Sequence, residues 1–212
     1  MDKMPDLSVH EHEPFKSILL FGPPGSGKGT LGKFLSTAGN HCHLSSGDIF
    51  RGLSPDSPAG LLFESYAGQG LLVPDSVTIK IWNHYVWGLI ATNSYFPTKQ
   101  YLLLDGLPRT VKQAEMMDKL INIRHIIVLD IKKEDILIER LRRRAIIEKR
   151  GDDTDPNVLK KRMEVYKEST EKLLDHYPKE LISRFNADQK PLEVLRDVLV
   201  KMNDITSFTS LK

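Results

Sequence analysis

The segment "GPPGSGKGT" at residues 22–30 follows directly on the apolar run Ser17-Ile18-Leu19-Leu20-Phe21. A chain that turns sharply out of a strand into a helix while exposing its backbone N–H groups needs glycine. Gly22, Gly25 and Gly27 permit the positive φ angles and close approach that this requires. Pro23 and Pro24 restrict the loop before any ligand arrives. The N–H groups of Gly25, Ser26, Gly27, Lys28, Gly29 and Thr30 then converge on an anion at a helix N-terminus. Lys28 adds a full positive charge at the β- and γ-phosphates. The chemistry is capture of a phosphate chain; the alternative is a glycine-rich turn without a ligand.

Two further stretches carry reactive types at useful spacing. In "LLLDGLPRTVKQ", residues 102–113, Asp105 ends an apolar strand, where a carboxylate can hold water on Mg²⁺ or merely cap a helix. Gly106 leaves room for a ligand against the backbone, and Arg109 offers a planar fork for phosphate. One helical turn later, the Gln113 amide presents both a donor and an acceptor to a base edge. In "IERLRRRAIIEKRGDD", residues 138–153, Arg140 and Arg144 lie four apart and share a helix face. As a bare pattern that basic run fits a nucleic-acid patch or a solvated face equally well.

These groups need a scaffold that brings them to one place. Short apolar runs at 17–21, 42–45, 101–105, 125–131 and 181–185 alternate with helical patterns near 28–38, 75–92, 110–121, 134–144, 157–176 and 191–203. The runs are apolar on successive residues, as in strands buried on both faces. Alternation of this kind predicts a three-layer α/β/α fold on a five-stranded parallel sheet. Right-handed crossovers then bring every strand's C-terminal end to one edge, where open α/β sheets bind ligands. Residues 47–76 and 145–156 break the alternation and read as inserts. Residues 1–16 and 204–212 read as flexible tails around a core of 17–203.

Bulk composition is permissive. The chain has 212 residues, 40% apolar and 27% charged, with a net charge of +2, too small to announce a nucleic-acid or membrane partner. Cys42 is the only cysteine. It excludes an internal disulfide and a cysteine-based zinc cluster, and its bland reading is a small apolar residue beside a strand. No apolar run approaches the ~18–20 residues that span a bilayer, and the N-terminal stretch lacks a signal peptide's apolar core. A cytoplasmic, monomeric protein is expected.

With Gly29 between Lys28 and Thr30, "GPPGSGKGT" resembles the phosphate-binding loop of the nucleoside monophosphate kinases. The resemblance runs from about residue 17 to 203 and is carried by further motifs. "HLSSGDIFRG" at 43–52 is similar to the family's acceptor segment, which implies Ser46 near the base and Arg51 on the acceptor phosphate; by itself "SSGD" is also an ordinary helix start, with Ser46 or Asp48 as the cap. "GLLVPDSV" resembles the edge of the acceptor pocket, with the backbone of Leu71, Leu72 and Val73 along the nucleoside, or those residues are plain core. "DGLPR" resembles the family's "DGFPR", so Gly106, Leu107, Pro108 and Arg109 would line the acceptor, with Leu107 in place of the usual Phe. "R-L-x-x-R" followed by Arg150 and "DD", with Arg162 in "KKRMEVY", resembles the short-lid members. The span from Arg150 to Arg162 is one residue longer than usual, and Asp155 capping a helix with Pro156 at its first position would absorb the extra residue. "FNADQKPLEV" resembles the loop on the donor adenine, with Lys190 at the ring.

The resemblance implies ATP and AMP giving two ADP, on a P-loop fold. Lys28, Arg109, Arg140, Arg144, Arg150 and Arg162 are implied as catalytic cations, with Arg140 and Arg144 also on the donor and Arg150 and Arg162 also on the acceptor. Mg²⁺ would be held through water by Asp105, with Thr30 as a further oxygen. Adenylate kinases carry Thr or Ser, then Gln, where this chain has Ser46 and Gln113, whereas pyrimidine monophosphate kinases carry Ala and Asn. The lid has neither extra cysteines nor the ~25 further residues of a zinc-bearing insert, so no structural zinc is expected. Three rivals remain: a UMP/CMP kinase, a P-loop ATPase gripping RNA, and a degenerate kinase used as a binding module.

Overall fold

A computed structural model describes residues 13–148, 150 and 153–203. Five strands form one sheet: β1 (Phe15–Phe21), β2 (Cys42–Ser45), β3 (Leu102–Asp105), β4 (Ile121–Asp130) and β5 (Ile182–Asn186). Their order is β2-β3-β1-β4-β5, and every neighbouring pair is parallel. The three-layer α/β fold expected from the alternation is the one observed.

Successive strand residues serve opposite faces, which is why the runs are continuously apolar. Phe15, Leu19, Phe21, Leu102, Leu104, Ile126 and Val128 point to one core, and Ile18, Leu20, Leu103, Ile127 and Leu129 to the other. The first core is covered by α4 (Asp75–Ala91) through Ile79, Trp82 and Val86, and by α5 (Val111–Met117) through Ala114 and Met117. The second is covered by α1 (Lys28–Gly39) through Leu31 and Leu35, and by α8 (Pro191–Asn203) through Val194 and Val198. Strand β1 thus lies at the centre with connections leaving to either side, the arrangement that opens a ligand crevice at the strand ends.

Helices α2 (Ser46–Arg51) and α3 (Pro58–Ala67) make the first excursion. They are joined by stacking of Phe50 on Phe63 at 5.4 Å. Helices α6 (Glu134–Glu148) and α7 (Pro156–Val165) flank the second and pack on each other through Leu137, Leu141, Leu159 and Met163. Asp155 caps α7 by accepting from the Asn157 N–H at 2.8 Å, with Pro156 at the first position.

Several boundaries differ from the expectation. Helix α6 runs through Glu148, four residues into the expected lid, because "AIIE" contains no helix breaker and Ala145 is buried. β1 starts at Phe15, inside the expected tail, because Phe15 is a core residue. β4 begins at Ile121, where α5 had been extended by pattern; "INIR" alternates buried and exposed side chains, and Arg124 falls where the pairing with β1 shifts register. The single helix expected over 157–176 is α7 followed by a wider π turn at Tyr166–Thr170 and a 3₁₀ segment at Lys172–His176. The two tails, apart from residues 13–16, lie outside the described residues, as do 149, 151 and 152 of the lid.

Half-buried Cys42 has its thiol pushed up to about 11 by burial, which keeps it protonated and inert. Among the described residues no helix is long and apolar enough to cross a membrane.

Candidate active site

A cleft of about 1200 Å³ opens at the C-terminal edge of the sheet, and every residue expected from the sequence to touch a nucleotide or metal lines it. Its floor is the turn after β1. Gly22 and Gly25 adopt φ of 148° and 84°, and a Cβ on Gly25 would stand 2.9 Å from the Leu137 carbonyl oxygen. Only glycine fits there. Gly27 precedes α1 in a left-handed conformation, and no side chain caps the helix. The first-turn N–H groups therefore face the cleft with their partial positive charge. Ser26 is buried, and its hydroxyl has no hydrogen-bond partner among the described residues.

Lys28 folds back over this turn, donating from Nζ to the carbonyls of Gly22 at 2.7 Å and Pro23 at 3.0 Å. Burial lowers its ammonium from 10.5 to about 8; Asp105 opposes this, while the charges of Arg109, Arg144 and Arg162 add to it. Those cations therefore converge on one region. The buried Asp105 carboxylate ends β3, and its Oδ2 lies 3.5 Å from where a Cβ on Gly29 would stand. His43 Nε2 approaches it to 3.8 Å. A Cβ on Gly32 would meet the His43 ring at 2.3 Å, so glycine at that position lets the ring lie against α1. A carboxylate beside a phosphate cradle, with the exposed Thr30 hydroxyl on α1, supplies the hard oxygen donors that suit Mg²⁺ shared with phosphate oxygens. Among the described residues no group of three or more His, Cys, Asp or Glu could hold a metal ion by itself.

The opposite side of the cleft is built around the turn after β3. Gly106 has φ 72°, and a Cβ there would stand 2.8 Å from Arg109 Nη2 and 3.0 Å from Ser46 Oγ. Arg109 donates from Nε to the Gly106 carbonyl at 2.7 Å and from Nη2 to Ser46 Oγ at 3.2 Å, while Ser46 donates to the Gly106 carbonyl at 2.7 Å. Ser46 is thus part of the support under Arg109. The helix start expected of "SSGD" is also present, but the cap of α2 is Ser45, which accepts from the Asp48 N–H at 3.2 Å, rather than Ser46 or Asp48. Leu107 is 3% exposed and belongs to the core. Gln113 is 1% exposed; its Oε1 accepts from the Arg109 N–H at 2.7 Å, and its Nε2 donates to Asp75 Oδ1 at 2.9 Å.

The remaining arginines are positioned by carboxylates and carbonyls. Asp153, 1% exposed, accepts from Arg144 Nε at 2.6 Å and Nη2 at 2.9 Å, and also from Arg162 Nη1. Burial pushes its carboxyl up, but the hydrogen bonds and charges of Arg144 and Arg162 outweigh this and hold it below the ordinary range. Arg150 Nη2 reaches Asp48 Oδ1 at 3.3 Å, across from the lid to α2, and Arg51 bonds the same oxygen at 2.6 Å. Arg140, expected among the catalytic cations, donates instead to the carbonyls of Ala187 at 3.0 Å and Gln189 at 3.1 Å. It lies against the loop that carries Lys190.

The sequence offered Asp48 only as a helix cap and assigned no role to Asp153 or His43. Asp153 had a visible signal in the "DD" after Arg150. Asp48 and His43 had none beyond membership of a quoted segment.

A family model described as adenylate kinase matches residues 20–182. Curated relatives include an adenylate kinase of Nocardia farcinica, 38% identical over 165 residues that cover 76% of this chain and 84% of that protein. One from a Cyanothece species is 40% identical over 165 residues, covering 76% and 80%. Another, from Lactobacillus johnsonii, is 32% identical over 217 residues, covering 86% and 96%.

Proposed function

The chain belongs to the adenylate kinase family and is a nucleoside monophosphate kinase, a phosphotransferase; from that premise we propose which residues carry the reversible transfer of a phosphoryl group from ATP to AMP, giving two ADP. The observation that carries the assignment is convergence: the phosphate cradle, the arginines and Gln113 all line one cleft.

ATP lies with its phosphates on the N–H groups of residues 25–30 and its adenine between Arg140 and the Lys190 loop. AMP lies with its phosphate between Arg51 and Arg109, its base toward Gln113 and its nucleoside along Leu71–Val73. Lys28, Arg144, Arg150 and Arg162 surround the phosphoryl group between them. Transfer asks the protein for alignment and for charge stabilisation, and no side chain must act as a nucleophile. Crowded cations repel one another without a ligand. Asp153 and Asp48 occupy them meanwhile, and phosphate oxygens displace or join those contacts. Asp105 and Thr30 would hold Mg²⁺ through water, and charge neutralisation on the donor phosphates is what the ion supplies when bound. Closure of the lid and of the α2–α3 arm keeps water from taking the phosphate.

The test is a panel of AMP, CMP, UMP and GMP with ATP and Mg²⁺, following diphosphate formation. AMP should be turned over fastest; faster turnover of UMP or CMP would overturn the acceptor assignment. Gln113→Ala should raise the KM for AMP about tenfold through loss of a buried hydrogen bond. The KM for ATP should stay within about twofold by the same logic, and an equal effect on both would point to misfolding.

A pH dependence follows from Lys28. Its ammonium titrates near pH 8 in the free protein, and a polyphosphate beside it favours the charged form. ATP binding near that pH therefore takes up protons, and affinity declines as pH rises through it. Calorimetry in buffers of different ionisation enthalpy measures the uptake; proton release or no linkage would contradict the assignment.

A further inference from the structure

We infer that Asp75 fixes which way the Gln113 amide points, and so makes the acceptor pocket discriminate against 6-oxopurine monophosphates. The inference rests on the reading that Gln113 faces the acceptor base. Asp75 opens α4 and is not among the residues lining the cleft. Its Oδ1 accepts from Gln113 Nε2 at 2.9 Å and from the Thr110 hydroxyl at 3.0 Å. Thr110 in turn caps α5 by accepting from the Gln113 N–H at 3.1 Å. On the other side, Gln113 Oε1 accepts from the Arg109 N–H at 2.7 Å.

A carboxylate can only accept and a backbone N–H can only donate. Turning the amide over would set Oε1 against the Asp75 carboxylate and the NH₂ group against the Arg109 N–H. Both contacts would become repulsive, in a side chain that is 1% exposed and cannot turn to water instead. The orientation is therefore unique.

The amide retains one hydrogen and one lone pair for a ligand. Adenine offers a donor at N6 beside an acceptor at N1. Hypoxanthine and guanine reverse that pattern, with an acceptor at O6 beside a donor at N1. An amide free to turn over can pair with either pattern; one held by Asp75 and Arg109 pairs with one. Asp75 is then a positioning residue that acts on the base through Gln113. Rejection arises because the wrong base leaves buried polar groups facing their own kind.

The experiment compares kcat/KM for AMP with that for IMP, which differs from AMP only at this edge. The proteins are wild type, Asp75→Ala, Asp75→Asn and Gln113→Ala, each with ATP and Mg²⁺. Asp75→Ala should lower the AMP:IMP ratio about tenfold, chiefly through a lower KM for IMP, with KM for ATP unchanged. Asp75→Asn keeps an oxygen acceptor for both donors and should restore the ratio to within about threefold of wild type. Should the alanine variant not fold, Asp75→Ser suits a helix start, withdraws the acceptor from reach, and should give the same fall. An unchanged ratio in a folded Asp75→Ala or Asp75→Ser protein, or equal losses for AMP and IMP, would overturn the inference. If Gln113→Ala still lowers the ratio in that case, only the role of Asp75 fails. If neither variant moves it, the placement of Gln113 at the base fails as well.

Discussion

Replacing Lys28 with methionine should lower kcat by about two to three orders of magnitude while leaving the protein folded. The side chain is anchored by the carbonyls of Gly22 and Pro23, so its ammonium is set beside the cradle before a nucleotide arrives. A preorganised charge of this kind acts where negative charge is spread over the moving phosphoryl oxygens, and it needs no rearrangement at the moment of transfer. Methionine keeps the length and apolar stem and removes the charge. Stability should change little, because the buried ammonium resists its charge: its titration is lowered to about 8. A group that releases its proton more readily when folded makes the protein more stable as pH rises between that value and the unfolded one. The variant should lack that alkaline gain. Steady-state kinetics with a melting curve check both; a folded variant within tenfold of wild type would remove Lys28 from the mechanism.

Asp153→Ala should have the second largest effect, and on two quantities at once. The buried carboxylate holds both Arg144 and Arg162. Without it the two guanidinium groups, 27% and 22% exposed, lose the buried carboxylate that they share. Breaking a buried ion pair costs ~3–5 kcal/mol, and partial exposure of both arginines places the loss toward ~2–3 kcal/mol. The kcat/KM for both nucleotides should fall about 10- to 100-fold, since neither arginine is then preset toward the phosphoryl group. The Asp153 carboxyl titrates below its ordinary range. Its contribution is therefore complete above the unfolded value and is lost as pH falls through the lower folded one. Urea unfolding at neutral and acid pH should show the difference between wild type and variant shrinking as pH falls into that window. Unchanged kcat/KM in the variant would mean that Asp153 serves the fold alone.

What the sequence disclosed and what it withheld divide along chain distance. The cradle is legible because its glycines, Lys28 and the preceding strand are contiguous, and each has a local reason for its place. Arg109 and Gln113 are legible because both follow Asp105 within one short segment. The five strands are legible because burial on both faces leaves continuous apolar runs. Partners far apart in the chain are not legible: Asp75 meets Gln113 from 38 residues away, and Arg140 meets the Ala187 and Gln189 carbonyls across 47 and 49. No spacing rule connects such pairs, and only the sheet's topology brings them together. The start of β4 was hidden for a different reason. "INIR" alternates at the end of the sheet, where one face is covered and the other is not, and it does not look like the doubly buried strand it joins.

The central claim is that one cleft holds two adenine nucleotides end to end, phosphate to phosphate. The most direct measurement is calorimetric titration with a bisubstrate mimic, two adenosines joined through five phosphates, in the presence of Mg²⁺, together with its inhibition pattern. The expected result is one equivalent bound, far more tightly than either nucleotide alone, with competition against both ATP and AMP. Absence of binding, or competition against only one of the two, would contradict it.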